Sequence, residues 1–352
     1  MPETAMRRYI IPILFFVSLT ASIAQAADAI GFREITLPDP GGTRPLHAVI
    51  WYPAADDSPQ TIVGDNPAIT GLSVIKDART LPGPHPLVVM SHGYGGTWRN
   101  LNWLAGELVR RGYVVAAPDH PGTTTFDRRP SEAARLWERP HDLSRVIDAL
   151  IADPALTGGV QAGRIAAIGH SLGGWTVAGI AGGRFSSEQM ARECQANPGL
   201  RACALTAEFG IDQAATKGQL EGSLADARVG AVISLDLGLA RGFTPESLGT
   251  VKVPVLTIAA GTDIGGLPAK LESGYLAQHL PATTSRYIEI ADATHFSFMG
   301  ICKPGAAVMI EEETPGDGIV CRDGGTRDRE AIHEQVAGLV IDFLAKALPV
   351  GE

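Results

Sequence analysis

The stretch that most constrains this chain is Ile165 to Trp175, Ile-Ala-Ala-Ile-Gly-His-Ser-Leu-Gly-Gly-Trp. A short apolar run ends abruptly at Gly169-His170-Ser171-Leu172-Gly173, and a helical pattern of small residues follows. The reading is strand, sharp turn, helix. A serine at such a bend is held in a strained backbone with its hydroxyl facing outward, and glycines two before and two after it remove side chains that would collide there. Ser171 is therefore the expected nucleophile.

Around this bend the pattern alternates. Leu87 to Ser91 is an unbroken apolar run suited to a buried parallel strand, ending in His92-Gly93-Tyr94-Gly95-Gly96. A helix from Asn100 to Arg111 and a strand from Tyr113 to Ala117 complete a βαβ unit. Gly93-Tyr94-Gly95 does not begin a dinucleotide fingerprint, because Trp98 stands where the third glycine belongs. A helix entered near Pro140 buries Leu143, Val146, Ile147, Leu150 and Ile151. Arg164 to Ile168 is the central strand and Ser171 to Ala181 the helix behind it. Further strands are expected at Val229 to Leu235, Val253 to Ala260 and Arg286 to Ile290. Helices are expected at Pro268 to Leu280 and Asp328 to Leu348.

At the start, Phe32 to Leu37 and Leu46 to Trp51 read as an antiparallel pair at the sheet edge, and 56–86 as surface loop with at most one short helix. Residues 184–228 interrupt the alternation and are expected to form a small cap over the site. The fold class is thus α/β: a mostly parallel central sheet flanked by helices, in one domain spanning 27–352. A hydrophobic fraction of 45% over 352 residues is enough for one large core. The net charge of -9 argues against nucleic acid as a partner.

Arg7 and Arg8 precede an apolar stretch from Tyr9 to Leu19, and Ala24-Gln25-Ala26 supplies small residues where a signal peptidase reads. Residues 1–26 are read as a secretory signal cut after Ala26. The stretch falls short of the ~20 residues that span a bilayer, so no integral span is expected in the mature chain. Four cysteines in an exported chain suggest two disulfides. Local pairs, Cys194 with Cys203 and Cys302 with Cys321, are the simplest choice, the second closing the loop 302–321. No Cys-x-x-Cys spacing supports zinc. The acidic run Glu311-Glu312-Glu313 with Asp317 reads as a solvated face, and no metal is assigned.

A serine hydroxyl needs a base to take its proton, and that base needs a carboxylate to fix its tautomer. Of the histidines beyond the acidic candidates Asp236 and Asp263, His279 and His333 belong to helices. His295 falls on a loop just past a strand, where its ring can swing toward Ser171.

At this point the chain resembles the α/β-hydrolase superfamily, with chain order Ser, then Asp or Glu, then His, from about residue 32 to the C-terminus. The segments His92-Gly93-Tyr94-Gly95-Gly96, Ala117-Pro118-Asp119-His120-Pro121-Gly122, Gly169-His170-Ser171-Leu172-Gly173-Gly174 and Ala293-Thr294-His295-Phe296 are similar to bacterial platelet-activating-factor acetylhydrolase-like and predicted dienelactone hydrolase-like serine esterases. Cutinase-like polyester hydrolases are similar in the same places. The resemblance implies a Ser-His-Asp triad that cleaves carboxylic esters through an acyl-enzyme. Asp263 matches the acid position of cutinase-like members and is the expected acid. Asp236 matches the position used by platelet-activating-factor acetylhydrolases and is the alternate. The resemblance also implies backbone N–H groups of Tyr94 and Leu172 as an oxyanion hole. Trp175 and Phe296 are expected as an apolar wall for the acyl group.

Dienelactone hydrolases carry cysteine at the elbow, so serine here favours ordinary esters. No cofactor is implied, and the partner expected is a small or oligomeric ester. An amidase or peptidase on the same triad, and a binding protein that keeps the fold without catalysis, are the alternatives. The sequence is silent on oligomeric state.

Overall fold

The computed structural model describes Met1 and residues 29–39, 41–211 and 214–348. The expected signal, 1–26, lies outside the described residues apart from Met1. The strands are β1 (Ala29–Leu37), β2 (Leu46–Ala54), β3 (Thr61–Val63), β4 (Leu72–Lys76), β5 (His85–Ser91), β6 (Val114–Pro118), β7 (Val160–His170), β8 (Val229–Leu235), β9 (Val255–Thr262) and β10 (Ser285–Thr294). They form one sheet in the order β10-β9-β8-β7-β5-β6-β2-β1-β4-β3. From β10 through β6 the pairing is parallel, and β2 is antiparallel to both β6 and β1. This is the α/β-hydrolase sheet, with the bend after β7 near its middle.

Helices cover both faces. On one face α1 (Asn102–Val109) packs beside a C-terminal helix described below; on the other lie α2 (Glu138–Ala152) and α3 (Leu172–Ile180). The segment after α3 carries α4 (Ser187–Ala196), α5 (Arg201–Phe209) and α6 (Ala214–Leu220). Then come α7 (Ser273–His279), α8 (Ala306–Glu313) and α9 (Arg329–Ala347). Asp328 caps α9 by accepting from Ala331 N–H, and Ile332, Val336, Val340 and Leu344 are fully buried along one stripe. Burying such side chains contributes about 1.5–3 kcal/mol each, which holds α9 and α1 against the sheet.

Three expectations are corrected. Residues 56–86 contain β3 and β4, so β1 and β2 are not the edge: β4 pairs in parallel with β1 and β3 with β4. Leu72-Ser73-Val74-Ile75-Lys76 buries only Val74 and Ile75, too short an apolar signal to stand out among prolines and glycines. Ile151 lies at the solvent side of α2, 37% exposed, while Leu143, Val146, Ile147 and Leu150 are buried. The helix expected from Pro268 begins only at Ser273, because Glu272 leaves helical geometry at φ -115, ψ -87 to bury its side chain.

Candidate active site

All candidate groups lie at the C-terminal ends of the parallel strands, where an open α/β sheet leaves its crevice. Register brings them together: Ser91 pairs with Gly169, and His170 with Leu235. The residues that follow, His92, Ser171 and Asp236, thus leave adjacent strands at one level.

Ser171 has φ 58 and ψ -121, a backbone state that costs an L-residue of order 1–3 kcal/mol and persists only where surroundings impose it. Its N–H donates to Leu235 O at 3.0 Å, and its carbonyl accepts from Gly174 N–H at 2.9 Å. The flanking glycines are forced. A Cβ on Gly169 would stand 1.9 Å from Gly173 O, and one on Gly173 would stand 1.9 Å from Ser91 O. The bend is therefore clamped between β5 and its own helix, with Ser171 left partly exposed.

His295 follows β10 and donates from Nδ1 to Asp236 Oδ2 at 2.6 Å, with both side chains nearly buried. The remaining nitrogen, Nε2, is then the acceptor available to a hydroxyl. His170, next to Ser171, donates from Nε2 to His295 O at 2.9 Å, and the two rings lie 4.7 Å apart. Burial holds the His170 imidazole well below its usual pKa, so it acts as a neutral strut tying the serine bend to the histidine loop.

The choice of Asp263 as the carboxylate on His295 is corrected. Backbone proximity favours it, since Thr294 pairs with Thr262, yet orientation decides. Asp263 is exposed, and its Oδ1 accepts from Gly265 and Leu267 N–H, closing its own loop. Asp236, at φ 43, is turned inward: Oδ1 accepts from Ala260 N–H at 2.9 Å and Oδ2 faces His295.

Tyr94 and Leu172 both lie next to Ser171. A Cβ on Gly93 would sit 2.9 Å from Ser171 Cβ, so the Gly93-Tyr94 backbone passes directly over the serine. Leu172 opens α3, where first-turn N–H groups lack intrahelical partners. Phe296 is half-buried with its ring perpendicular to that of His295. Trp175 is corrected: it is fully buried between Phe185 and Phe243, and no substrate can reach it. Gly173 and Gly174 take the side of α3 that meets the sheet, and Trp175 turns instead into the aromatic cluster made by the segments after α3 and β8.

Both disulfides form as expected, Cys194 with Cys203 and Cys302 with Cys321. The segment 184–228 reaches the site. Phe209 packs edge-on against Tyr94 with ring centres 4.8 Å apart, and Arg201 N–H donates to Gly266 O beyond β9. Gln189 donates to Arg241 O and Phe243 O beyond β8, and Glu193 pairs with Arg241 at 2.8 Å.

A polar cluster beneath the Tyr94 loop was missed. Arg139, Asp142, His92 and His120 are all buried, and burial keeps both imidazoles well below their usual pKa and Arg139 down at about 9. Arg139 and Asp142 precede Leu143 and Val146 by four residues each, the one signal that placed them on the buried face. Among the described residues no group of three or more His, Cys, Asp or Glu side chains is arranged to hold a metal ion, and no helix is long and apolar enough to cross a membrane.

Comparison with known proteins points to ester hydrolases of the same fold. Residues 82–195 match the Hydrolase_4 family, serine aminopeptidase, S33, a span that includes Ser171 but neither Asp236 nor His295. The chain is 25% identical over 290 residues to the bis(hydroxyethyl) terephthalate hydrolase of Streptomyces coelicolor, covering 81% of this chain and 73% of that one. It is 33% identical to cutinase est2 of Thermobifida alba over 89 residues, 25% of this chain and 27% of the cutinase. The ferulic acid esterase from Streptomyces cinnamoneus superposes with a TM-score of 0.62 at 22% identity, covering 93% and 92% of the two chains.

Proposed function

We propose a route for this α/β-hydrolase, a carboxylic ester hydrolase, in which Ser171 is the nucleophile, His295 the base and Asp236 the acid that orients it. Ser171 Oγ attacks the ester carbonyl carbon while its proton passes to His295 Nε2. The imidazolium so formed is held by Asp236 through Nδ1–H. Negative charge on the carbonyl oxygen is met by the N–H groups of Tyr94 and Leu172. The intermediate collapses, the alkoxide leaves with the proton from His295, and an acyl-serine remains. Water then repeats the sequence, giving the acid and free Ser171.

The observation that carries this reading is the conjunction of a strained, partly exposed Ser171 with a buried Asp236-to-His295 hydrogen bond tied to the same bend. The substrate class is small or oligomeric esters, with esters of aromatic acids favoured. Relatives named for bis(hydroxyethyl) terephthalate and ferulic acid support this, as do the partly exposed rings of Tyr94 and Phe296. Export is part of the proposal, supported by the Arg7-Arg8 apolar leader pattern and by two disulfides, which form in oxidising compartments. Residues 184–228 act as a cap, supported by the packing of Phe209 on Tyr94.

The test is turnover of p-nitrophenyl esters beside hydroxyethyl terephthalate and ferulate esters. The wild type should hydrolyse them and Ser171→Ala should lose about 10⁴–10⁶ in kcat. Equal turnover by the variant would remove the assignment. The S33 description favours amide cleavage as a second reading, and matched amides in the panel decide between them.

A further inference from the structure

The oxyanion pair proposed above comes from two different pieces of backbone, and nothing in the order Ser, Asp, His explains what fixes their spacing. Tyr94 N–H belongs to the loop after β5, and Leu172 N–H to the first turn of α3. Their separation must hold to about 0.5 Å for both to meet one oxygen.

Arg139 in α2 lies under both. Its Nη2 donates to His92 O and to Ser91 Oγ, the latter at 3.2 Å, on the segment that leads into Tyr94. Its Nε donates to Thr176 Oγ1 at 3.0 Å, and that hydroxyl donates to Leu172 O at 3.0 Å. Its Nη1 donates to Thr123 Oγ1, whose hydroxyl donates to His120 O at 3.1 Å in the loop after β6. One planar guanidinium thus spans three separate elements, as only a fixed fork of donors can.

The surroundings make it a rigid tie. Arg139 is 1% exposed, and Asp142 is engaged elsewhere, by Arg44 and by His120 Nδ1–H at 2.9 Å. Ser91 Oγ accepts from Arg139, so it donates to His120 Nε2 at 2.9 Å, consistent with a neutral ring. His120 N–H donates to His92 Nε2 at 3.0 Å, and His92 Nδ1–H donates to Gly93 O at 2.7 Å. Gly93 O belongs to the same planar peptide as Tyr94 N–H, so fixing one aims the other. A buried cation with no carboxylate of its own costs several kcal/mol that an apolar side chain would avoid. Packing alone does not call for arginine here.

We propose that Arg139 is a positioning residue for ester hydrolysis: it ties the Tyr94 loop to the first turn of α3 and thereby sets the geometry of the two oxyanion donors. This rests on the serine-esterase reading. It is silent on substrate recognition, so its loss acts on the transition state and leaves ground-state binding in place.

The experiment uses the full mature chain with p-nitrophenyl butyrate and a butylboronic acid, which forms a tetrahedral adduct on serine. In Arg139→Met, kcat should fall about 10–100-fold with KM within about 3-fold, and the boronate Ki should rise by the same factor as kcat/KM falls. Arg139→Lys should recover only part. Thr176→Val, which cuts one arm and keeps the shape, should lose about 3–10-fold in kcat and decides the matter if the Arg139 variants do not fold. A folded Arg139→Met or Thr176→Val with wild-type kcat, or a kcat loss with unchanged boronate Ki, overturns the proposal. If the wild type does not hydrolyse the ester at all, the serine-esterase reading fails instead.

Discussion

The loops after β8 and β9 each begin with an aspartate near the same histidine, and they use it in opposite ways. Asp236 is 2% exposed, sits at φ 43, and spends both oxygens on Ala260 N–H and His295. Asp263 faces solvent and spends an oxygen on the turn of its own loop. A carboxylate fixes a histidine tautomer best where water cannot compete for its lone pairs and its own position is prescribed by backbone donors. The strained, buried aspartate is the one that meets His295. Resemblance to cutinase-like members and strand register both pointed to the other.

Substitution separates the two aspartates. Asp236→Asn is expected to lower kcat by about 10⁴, through the wrong imidazole tautomer, while Asp263→Asn stays within about 3-fold. Parallel kinetics on one p-nitrophenyl ester measures both, and the reverse order would restore Asp263.

The two loops are also bridged from above. Residues 184–228 hold the first through Gln189 and Glu193, and the second through Arg201. The Cys194–Cys203 disulfide closes the α4–α5 turn that makes both contacts. Replacing both cysteines by serine should cost about 2–3 kcal/mol of stability in a denaturant titration and lower kcat/KM several-fold. Replacing Cys302 and Cys321, whose loop 302–321 packs against the His295–Phe298 turn and does not bridge the two aspartate loops, should cost similar stability with a smaller loss of kcat/KM per folded molecule.

Glu272 joins the two loops directly. It sits in the second, and its Oε2 accepts from Ala240 N–H in the first at 2.8 Å. Burial pushes its carboxyl up to about 8 from an ordinary 4.5. Between those values the folded chain keeps a proton that the unfolded chain has lost, so this group's contribution to stability falls as pH rises through that window. Glu272→Gln should raise stability at pH 8 by about 1–2 kcal/mol, a gain that shrinks toward pH 5. Thermal melts at the two pH values check it, and equal effects at both would show that ionisation of Glu272 is not involved.

Much of this architecture was legible because local chemistry and global position agreed. Gly169 and Gly173 announce the bend, since no other residue fits against Gly173 O and Ser91 O. Val229 to Leu235 announces β8 by a mostly apolar run. The failures share a different cause: side-chain direction after a strand end is set by tertiary contacts. Asp236 turns inward because Ala260 N–H and His295 meet it there, and Trp175 turns into the core because Phe185 and Phe243 surround it. Arg139 and Asp142 lay on a readable helical stripe, but a charged pair on an apolar face looks like noise until its partners from other strands are seen.

Treating the protein with a fluorophosphonate and mapping the labelled peptide by mass spectrometry reads the nucleophile itself. A single adduct on Ser171, lost in Ser171→Ala and slowed by at least about 10³ in Asp236→Asn, is the predicted result. An adduct elsewhere, or labelling of Ser171→Ala at the wild-type rate, would contradict it.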